Sequence, residues 1–450
     1  MYSLKLVSHA SVYFNFGGIK LLTDPWLFGE CFNSGWKLLK TNSKDSLSDK
    51  EIQELNYIWI SHEHPDHFHI PSLRYLASKI KNKKNVQIIT KNDYKSQKEI
   101  NPFLNSLGFK NIKLLNHLEP YNISKNISLK VYLHRHVDSA LLIFHNKNPL
   151  IINMNDCELN KKECIYLKNR FGSFPLLLNQ FSIAGYNGIV NNKELSNKKN
   201  LILSKMITHH LSLGASTTIP FASFCRFSNE DNNFLNKWHN SLDDVNKIFN
   251  KANLNLFCIK PPSNFIDLKD IINKRRLPEE NIDFLKIDIE KSLESLEYVY
   301  LEKVILDRLN QLITISNKLI FNFVERYFYI FISDIQTFIE IDLRKLKIKR
   351  KQFDKRNLSY MEINSQPLAH AFKNSFGIQT LGISGRYKFK NFCNVPFNWR
   401  VLRMLSSLDN NHIPFRISTL FNISFYIYIF ERRATILEQL LQSILRLFTI

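Results

Sequence analysis

An α/β sandwich followed by a smaller α+β module is the fold class that the sequence predicts, and three observations predict it. Over the first 260 residues, short apolar runs bounded by turn residues alternate with helical spacings, the pattern of sheets covered by helices. A Pro261-Pro262 pair then interrupts the chain, because neither residue fits inside a helix or a central strand. The composition supplies a core: 44% of the 450 residues are hydrophobic and 13% aromatic, against only 12 Gly and 14 Pro. That balance excludes collagen-like, low-complexity and predominantly disordered chains. Two domains are expected, over residues 1–260 and 261–450.

Taken in order, residues 4–6, 11–16 and 19–23 read as three successive strands, with Gly17-Gly18 turning the second into the third. Residues 55–61 (L-N-Y-I-W-I-S) form a buried strand. Residues 71–80 carry Leu73, Leu76 and Ile80 at helical spacing. Residues 86–90, 127–133, 140–144 and 150–154 are further strands. Beyond the proline pair, an amphipathic helix is expected over 280–321, strands over 328–332 and 337–348, a helix over 366–376 and a strand over 377–390. A last amphipathic helix, 436–448, is expected to dock on a core.

Several classes fall away. No apolar run approaches the roughly 20 residues needed to span a bilayer. The first 22 residues alternate like strands and lack the basic and apolar regions of a signal peptide. The six cysteines (Cys31, Cys157, Cys164, Cys225, Cys258, Cys393) are scattered without a C-x-x-C pair, so reduced thiols in a cytoplasm are expected. The formal net charge is +21, yet no RNA-recognition or helix-turn-helix signature accompanies it. The expectation is a solvated basic surface that favours small anionic substrates, not nucleic acid.

The chemistry concentrates in one place. Directly after the apolar strand come Ser61-His62-Glu63-His64-Pro65-Asp66-His67, the pattern H-x-H-x-D-H. Imidazole and carboxylate are the ligands that borderline divalent metals prefer. His62 and His64 project from the same side of an extended or turning backbone, and Asp66 and His67 follow on the turn. A loop at the end of a buried strand is a rigid platform for such ligands. Four of the 14 histidines crowd between His62 and His69.

This motif resembles that of the metallo-beta-lactamase superfamily, which implies a four-layered αββα sandwich with one or two metals at the sheet edge. Leu21-Leu22-Thr23-Asp24-Pro25-Trp26 and Asn155-Asp156-Cys157 are similar to two further segments of that superfamily. Together with Phe32-x-x-Gly35-Trp36, Phe181–Gly185 and Pro220-Phe221-Ala222, they resemble the catalytic part of the CMP-N-acetylneuraminate hydroxylase family. The resemblance implies that His62, His64 and a third histidine hold one metal, Asp66 and His67 a second, with Asp156 bridging. The third histidine is His134 or His136, with His134 preferred. Asn229 stands where relatives commonly carry a histidine, which puts the second site in question. Glu230 and Asp231 beside it are expected either to substitute or to face solvent. The paired Cys-x-His and Cys-x-x-His ligands of a Rieske cluster are absent, so an oxygenase would need a separate electron donor.

Other residues carry lighter expectations. Asp24 either accepts from a ligating imidazole or caps the turn before Pro25. His9 is read as a supporting residue, the tandem His209-His210 as surface, and Lys37, Arg135 and Arg226 as surface charges or phosphate contacts. The function expected first is a hydrolase in which two divalent metals, zinc or iron, activate water on a phosphoester or nucleotide-sugar-like substrate, with Asp66 and Asp156 as catalytic carboxylates. The alternatives are a diiron monooxygenase and a non-catalytic binder of anionic or lipid ligands.

Overall fold

The computed structural model describes residues 2–39, 46–134, 138–278, 294–315, 325–352, 355–356 and 358–410. Its N-terminal part is built on two facing sheets. The first runs Ile266–Asp267, Tyr2–Leu6, Val12–Phe16, Ile19–Thr23, Tyr57–Ile60, Gln87–Lys91, Ile112–Leu115 in spatial order. The second runs Thr217–Phe221, Leu176–Gln180, Asn148–Asn153, Asp138–His145, Ile127–His134, Tyr121–Asn122.

Side-chain alternation explains why the two sheets pack face to face with helices outside. Successive residues of a strand point to opposite faces. Leu4, Leu6, Phe14, Leu21, Trp59 and Ile89 of the first sheet meet Leu129, Val131, Leu141, Ile143, Leu176 and Leu178 of the second in one buried cluster. Their neighbours in sequence face outward. Tyr13, Leu22, Ile58, Ile60 and Ile88 pack with Leu73 and Leu76 of the helix Ile70–Lys79. Ala140, Leu142, Ile152 and Leu177 pack with Cys164 and Leu167 of the helix Lys161–Phe171. The result is the expected αββα sandwich, with each fully buried Leu or Phe contributing about 1.5–3 kcal/mol.

The sandwich continues past Pro261-Pro262. Ile266–Asp267 pairs with Ser3 and Leu4 at the edge of the first sheet, and Leu268 and Ile271 enter the core between the sheets. The C-terminal module has a five-stranded sheet in the order Lys347–Arg350, Thr337–Asp342, Tyr327–Ile332, Tyr360–Ile363, Tyr387–Lys390. The helices Tyr298–Ile315, Ser365–Lys373 and Phe397–Asn410 share its core.

The helix expected over 280–321 is Tyr298–Ile315 in the described residues, with 294–297 outside it; two further elements differ from expectation for local reasons. The run expected as one strand, 337–348, is a hairpin, because the Asp342 carboxylate accepts from the Arg344 and Lys345 N–H groups at 3.0 Å and bends the chain. The run 377–390 opens as the helix Gly377–Ser384, burying Ile378 and Leu381, until left-handed Gly385 ends it before the strand. The helix expected over 436–448 lies outside the described residues.

Candidate metal centre

The site forms where parallel strands of both sheets end. Ile19–Thr23, Tyr57–Ile60 and Gln87–Lys91 run parallel in the first sheet, and Asn148–Asn153, Leu176–Gln180 and Thr217–Phe221 in the second. Their C-terminal ends deliver Asp24, Ser61-His62, Lys91 and Asn155-Asp156 to one edge. After Ile60 the chain turns sharply, with the His64 carbonyl accepting from the His67 (3.0 Å) and Phe68 (2.7 Å) N–H groups. That turn swings Asp66 and His67 back toward His62.

Two groups of side chains that could hold a metal ion result. His62, His64, Asp138 and Asp156 offer ligand atoms all within 4.8 Å of one another, and so do His9, Asp66 and His67. In the first group, His62 Nε2 stands 2.8 Å from His64 Nδ1, 3.6 Å from Asp138 Oδ1 and 3.7 Å from Asp156 Oδ2. In the second, His67 Nε2 is 3.3 Å from Asp66 Oδ2, and His9 Nε2 is 3.4 Å from the same oxygen. Asp156 lies between the groups, its Oδ2 also 3.6 Å from His67 Nε2.

Asp24 organises both groups from behind. Fully buried, it accepts from the Ser61 N–H and hydroxyl, each at 2.8 Å, and its Oδ2 takes the His67 Nδ1–H at 2.9 Å. That bond fixes the ring so that Nε2 faces the cluster, the orienting role carboxylates play behind metal-binding histidines. The Ser61 hydroxyl also contacts His62 Nδ1 at 2.9 Å.

The electrostatics suit cations. Burial holds His62 well below its ordinary range, helped by neighbouring His67 and His64, so its imidazole is neutral and able to coordinate. Burial, with Asp156 beside it, pushes Asp138 up to about 7, and Asp156 is raised by burial as well. At His67 burial acts downward but Asp66, Asp156 and Asp24 outweigh it and raise the group. Asp66, although desolvated, is held well below the usual carboxylate range by His67. A fit to metal is visible in the unpaired atoms: Asp66 Oδ1, Asp156 Oδ1 and His67 Nε2 are buried without a hydrogen-bond partner. Polar atoms are rarely left so without a ligand to meet.

Of the residues singled out from sequence, His62, His64, Asp66, His67 and Asp156 come together. His134 does not join them; its Nδ1 pairs with Glu163 Oε1 at 3.2 Å. His136 and Arg135 lie outside the described residues. Asp138, opposite His134 across the strand pair, reaches the first group instead. Its place four residues after His134, at the start of the apolar strand Asp138–His145, is the sequence feature that points to it. Lys91 was also missed: fully buried at the edge, its Nζ lies 2.8 Å from Asp93 and 3.7 Å from Glu63.

Asn229 is turned away, donating from Nδ2 to the Ser34 carbonyl. Asp231 neither faces solvent nor approaches the cluster; it pairs with Arg386 at 3.0 Å. His209 and His210, expected at the surface, are each only 4% exposed, meeting the Leu159 carbonyl (2.7 Å) and the Thr218 hydroxyl (2.8 Å). Arg226 is likewise buried, and Lys37 pairs with Glu30 at 2.8 Å.

This sandwich with a His/Asp cluster at its strand ends is a metallo-beta-lactamase fold, and residues 3–159 match the family model described as the beta-lactamase superfamily domain. Within that class the chain is similar to cytidine monophosphate-N-acetylneuraminic acid hydroxylases. It is 24% identical to the Danio rerio protein over 292 residues, which cover 61% of this chain and 47% of the relative. To the Sus scrofa protein it is 28% identical over 158 residues, covering 33% of this chain and 34% of the relative. The matched regions thus span less than half the length of these relatives. Similar solved structures include CmlA, a diiron beta-hydroxylase from Streptomyces venezuelae (12% identity, TM-score 0.42, covering 59% of this chain and 54% of that one). Another is a possible metal-dependent hydrolase from Veillonella parvula (13% identity, TM-score 0.43, covering 59% and 98%). Among the described residues, no helix is long and apolar enough to cross a membrane.

Proposed function

We propose that this chain is a dinuclear metal enzyme that hydroxylates a small anionic, nucleotide-sugar-like substrate. The observation that carries the reading is the ligand set: three carboxylates, Asp66, Asp138 and Asp156, converge with the imidazoles of His62, His64 and His67. Mixed imidazole and carboxylate donors suit iron, and each added carboxylate moves a site away from the softer ligands that favour zinc. The similarity to hydroxylases over 61% of the chain supports the same reading. Two bound irons would supply oxygen activation, placing one oxygen atom in a C–H bond and releasing the other as water, with two electrons and two protons from a separate donor.

The chain's own residues perform the remaining work. Asp24 and Ser61 lock His67 and His62 in one orientation. Asp156 joins the two groups, and three carboxylates offset most of the charge of two divalent ions. Lys91, buried beside Glu63, keeps a positive charge behind the first group.

The test is elemental analysis of protein purified without oxygen, with visible spectra before and after air, followed by incubation with CMP-N-acetylneuraminate, a reductant and oxygen. About two irons per chain, an oxygen-sensitive spectrum and a product heavier by one oxygen atom are expected. One or two zincs with no spectral change would overturn hydroxylation in favour of hydrolysis by metal-activated water, the function the motif alone puts first. No metal after supplementation with both would leave the binding scaffold.

A further inference from the structure

Beside the metal groups lies a turn in an unusual conformation. Phe32, Asn33 and Ser34 all have positive φ, at 52°, 55° and 57°. None is glycine, and each stands in a backbone region that L-residues enter only at a steric cost. Three in succession persist only where the surroundings dictate them. Here the surroundings are the 228–232 segment of the sandwich and, across from it, the C-terminal module.

Arg386, only 2% exposed and directly after the helix-ending Gly385, reaches into the sandwich. Its Nη1 donates to the Asn33 carbonyl at 3.0 Å, while Nε donates to both Asp231 oxygens at 3.1 and 3.0 Å. Asn364 of the same module also donates to Asp231, at 3.3 Å. Asn232 bridges the two parts, its Nδ2 donating to the Gly35 and Ser384 carbonyls at 2.8 and 2.7 Å. The approach is close: a Cβ on Gly35 would stand 2.5 Å from Ser384 Cβ. Ser228 donates to the Ser34 carbonyl at 2.7 Å, and Asn229 donates to the same oxygen.

What this turn carries faces the metal groups. The buried Phe32 ring stands edge-on to His64 with centroids 6.4 Å apart and packs on Trp36 at 4.9 Å; Trp36 in turn contacts His9 at 6.3 Å. Cys31, just before the turn, donates from Sγ to the Pro65 carbonyl at 3.2 Å, inside the H-x-H-x-D-H motif. One turn therefore touches the first group through His64, the second through His9, and the loop between them.

We propose that Arg386 is a positioning residue of the metal centre: it holds Phe32, Asn33 and Ser34 of the turn left-handed and so sets the placement of Phe32 and Trp36 against His64 and His9. The C-terminal module is on this view a working wall of the site. The inference rests on the metal centre proposed above.

Divalent cobalt is the probe, because its visible spectrum reports ligand geometry without any substrate. In the full chain, Arg386→Gln is expected to keep cobalt stoichiometry, shift the visible bands, and lose cobalt to EDTA about tenfold faster, the equivalent of about 1.4 kcal/mol. Asp231→Asn, which leaves the arginine in place without its charged partner, serves as the milder variant if Arg386→Gln fails to fold. Ser34→Gly, which removes the penalty for positive φ, is expected to restore much of the wild-type spectrum and exchange rate in the Arg386→Gln background. A variant that melts earlier but keeps the wild-type spectrum and exchange rate would reduce Arg386 to a structural tie and overturn the proposal. A wild-type chain that binds no cobalt at all would remove the metal centre itself, and this inference with it.

Discussion

Asp138 and His134 face each other across one strand pair, yet their side chains have different partners. Asp138 stands 3.6 Å from His62 Nε2, whereas His134 is held by Glu163. If the first metal is held as the geometry suggests, Asp138→Asn should lower metal affinity by more than about 100-fold. Even the outer partners of metal ligands cost about 10–100-fold when removed. His134→Ala should keep full metal stoichiometry, read by elemental analysis after dialysis; loss of one ion there with none lost in Asp138→Asn would reverse the assignment. Asp24→Asn belongs to the outer class. It leaves His67 Nδ1 without its charged acceptor, so a fall of about 10–100-fold is expected at the second group. The same residues mark what the sequence could disclose. H-x-H-x-D-H is contiguous, so its spacing reveals a shared turn directly. Asp138 and His9 reach the cluster only through sheet pairing, and nothing in their local sequence records which strand ends meet. Asp24 stays ambiguous in sequence for a related reason, since a carboxylate before Pro25 suits a cap as well as an imidazole partner.

Elements were legible where a single periodicity governed them. The strands from Tyr2 to Lys91 and from Ile127 to Asn153 lie where their apolar runs place them, and Ile19–Thr23 has the limits expected of it, whereas Leu176–Gln180 and Thr217–Phe221 are buried along almost their whole length and go unread. Where a local feature competes with that pattern, the expectation fails: the Asp342 side chain folds one expected strand into a hairpin, and the left-handed backbone of Gly385 ends an unforeseen helix. The helix Asn192–Leu213 shows the same limit for burial. A polar-looking His209-His210 pair sits on its inner face because the rings find partners there: the Leu159 carbonyl and the Asn179 side chain for His209, the Thr218 hydroxyl for His210. His210 also stacks edge-on against Phe249 at 5.6 Å. Burial lowers its pKa to about 4, against an unfolded value of about 6.5. Between those values the unfolded chain binds the proton and the folded chain does not, so stability must fall as pH drops from about 6.5 toward 4. His210→Gln should flatten that part of the acid limb, measured as urea midpoints across the interval. An acid limb of unchanged slope would mean that the ring is not held neutral.

At the scale of the whole molecule, the sandwich and the C-terminal module meet at the strand ends that carry the metal groups. They are joined at more than the Arg386 contact. The Phe389 N–H donates to the Gly188 carbonyl at 2.6 Å, and Ile189 forms a parallel bridge with Phe389. Tyr186 donates its N–H to the Gly382 carbonyl at 2.8 Å. Gly188 makes this approach feasible in two ways. Its φ of 90° is one that side chains rarely adopt, and a Cβ there would lie 2.5 Å from both the Phe389 and Tyr387 rings. Those rings are anchored around Trp399 in the module's own core, so they have little room to retreat. Gly188→Ala should therefore cost about 2–4 kcal/mol from backbone strain and overpacking together. The loss should fall on the joint, since none of the metal groups draws on residue 188. Hydrogen exchange should show the Phe389 and Tyr186 amides losing protection in the variant, while amides of the inner strands Tyr57–Ile60 and Asn148–Asn153 stay protected and bound metal is retained. Uniform loss of protection would mean that the two parts unfold as one cooperative unit. Unchanged protection at Phe389 would mean that the loop around Gly188 yields to the added methyl without opening the joint.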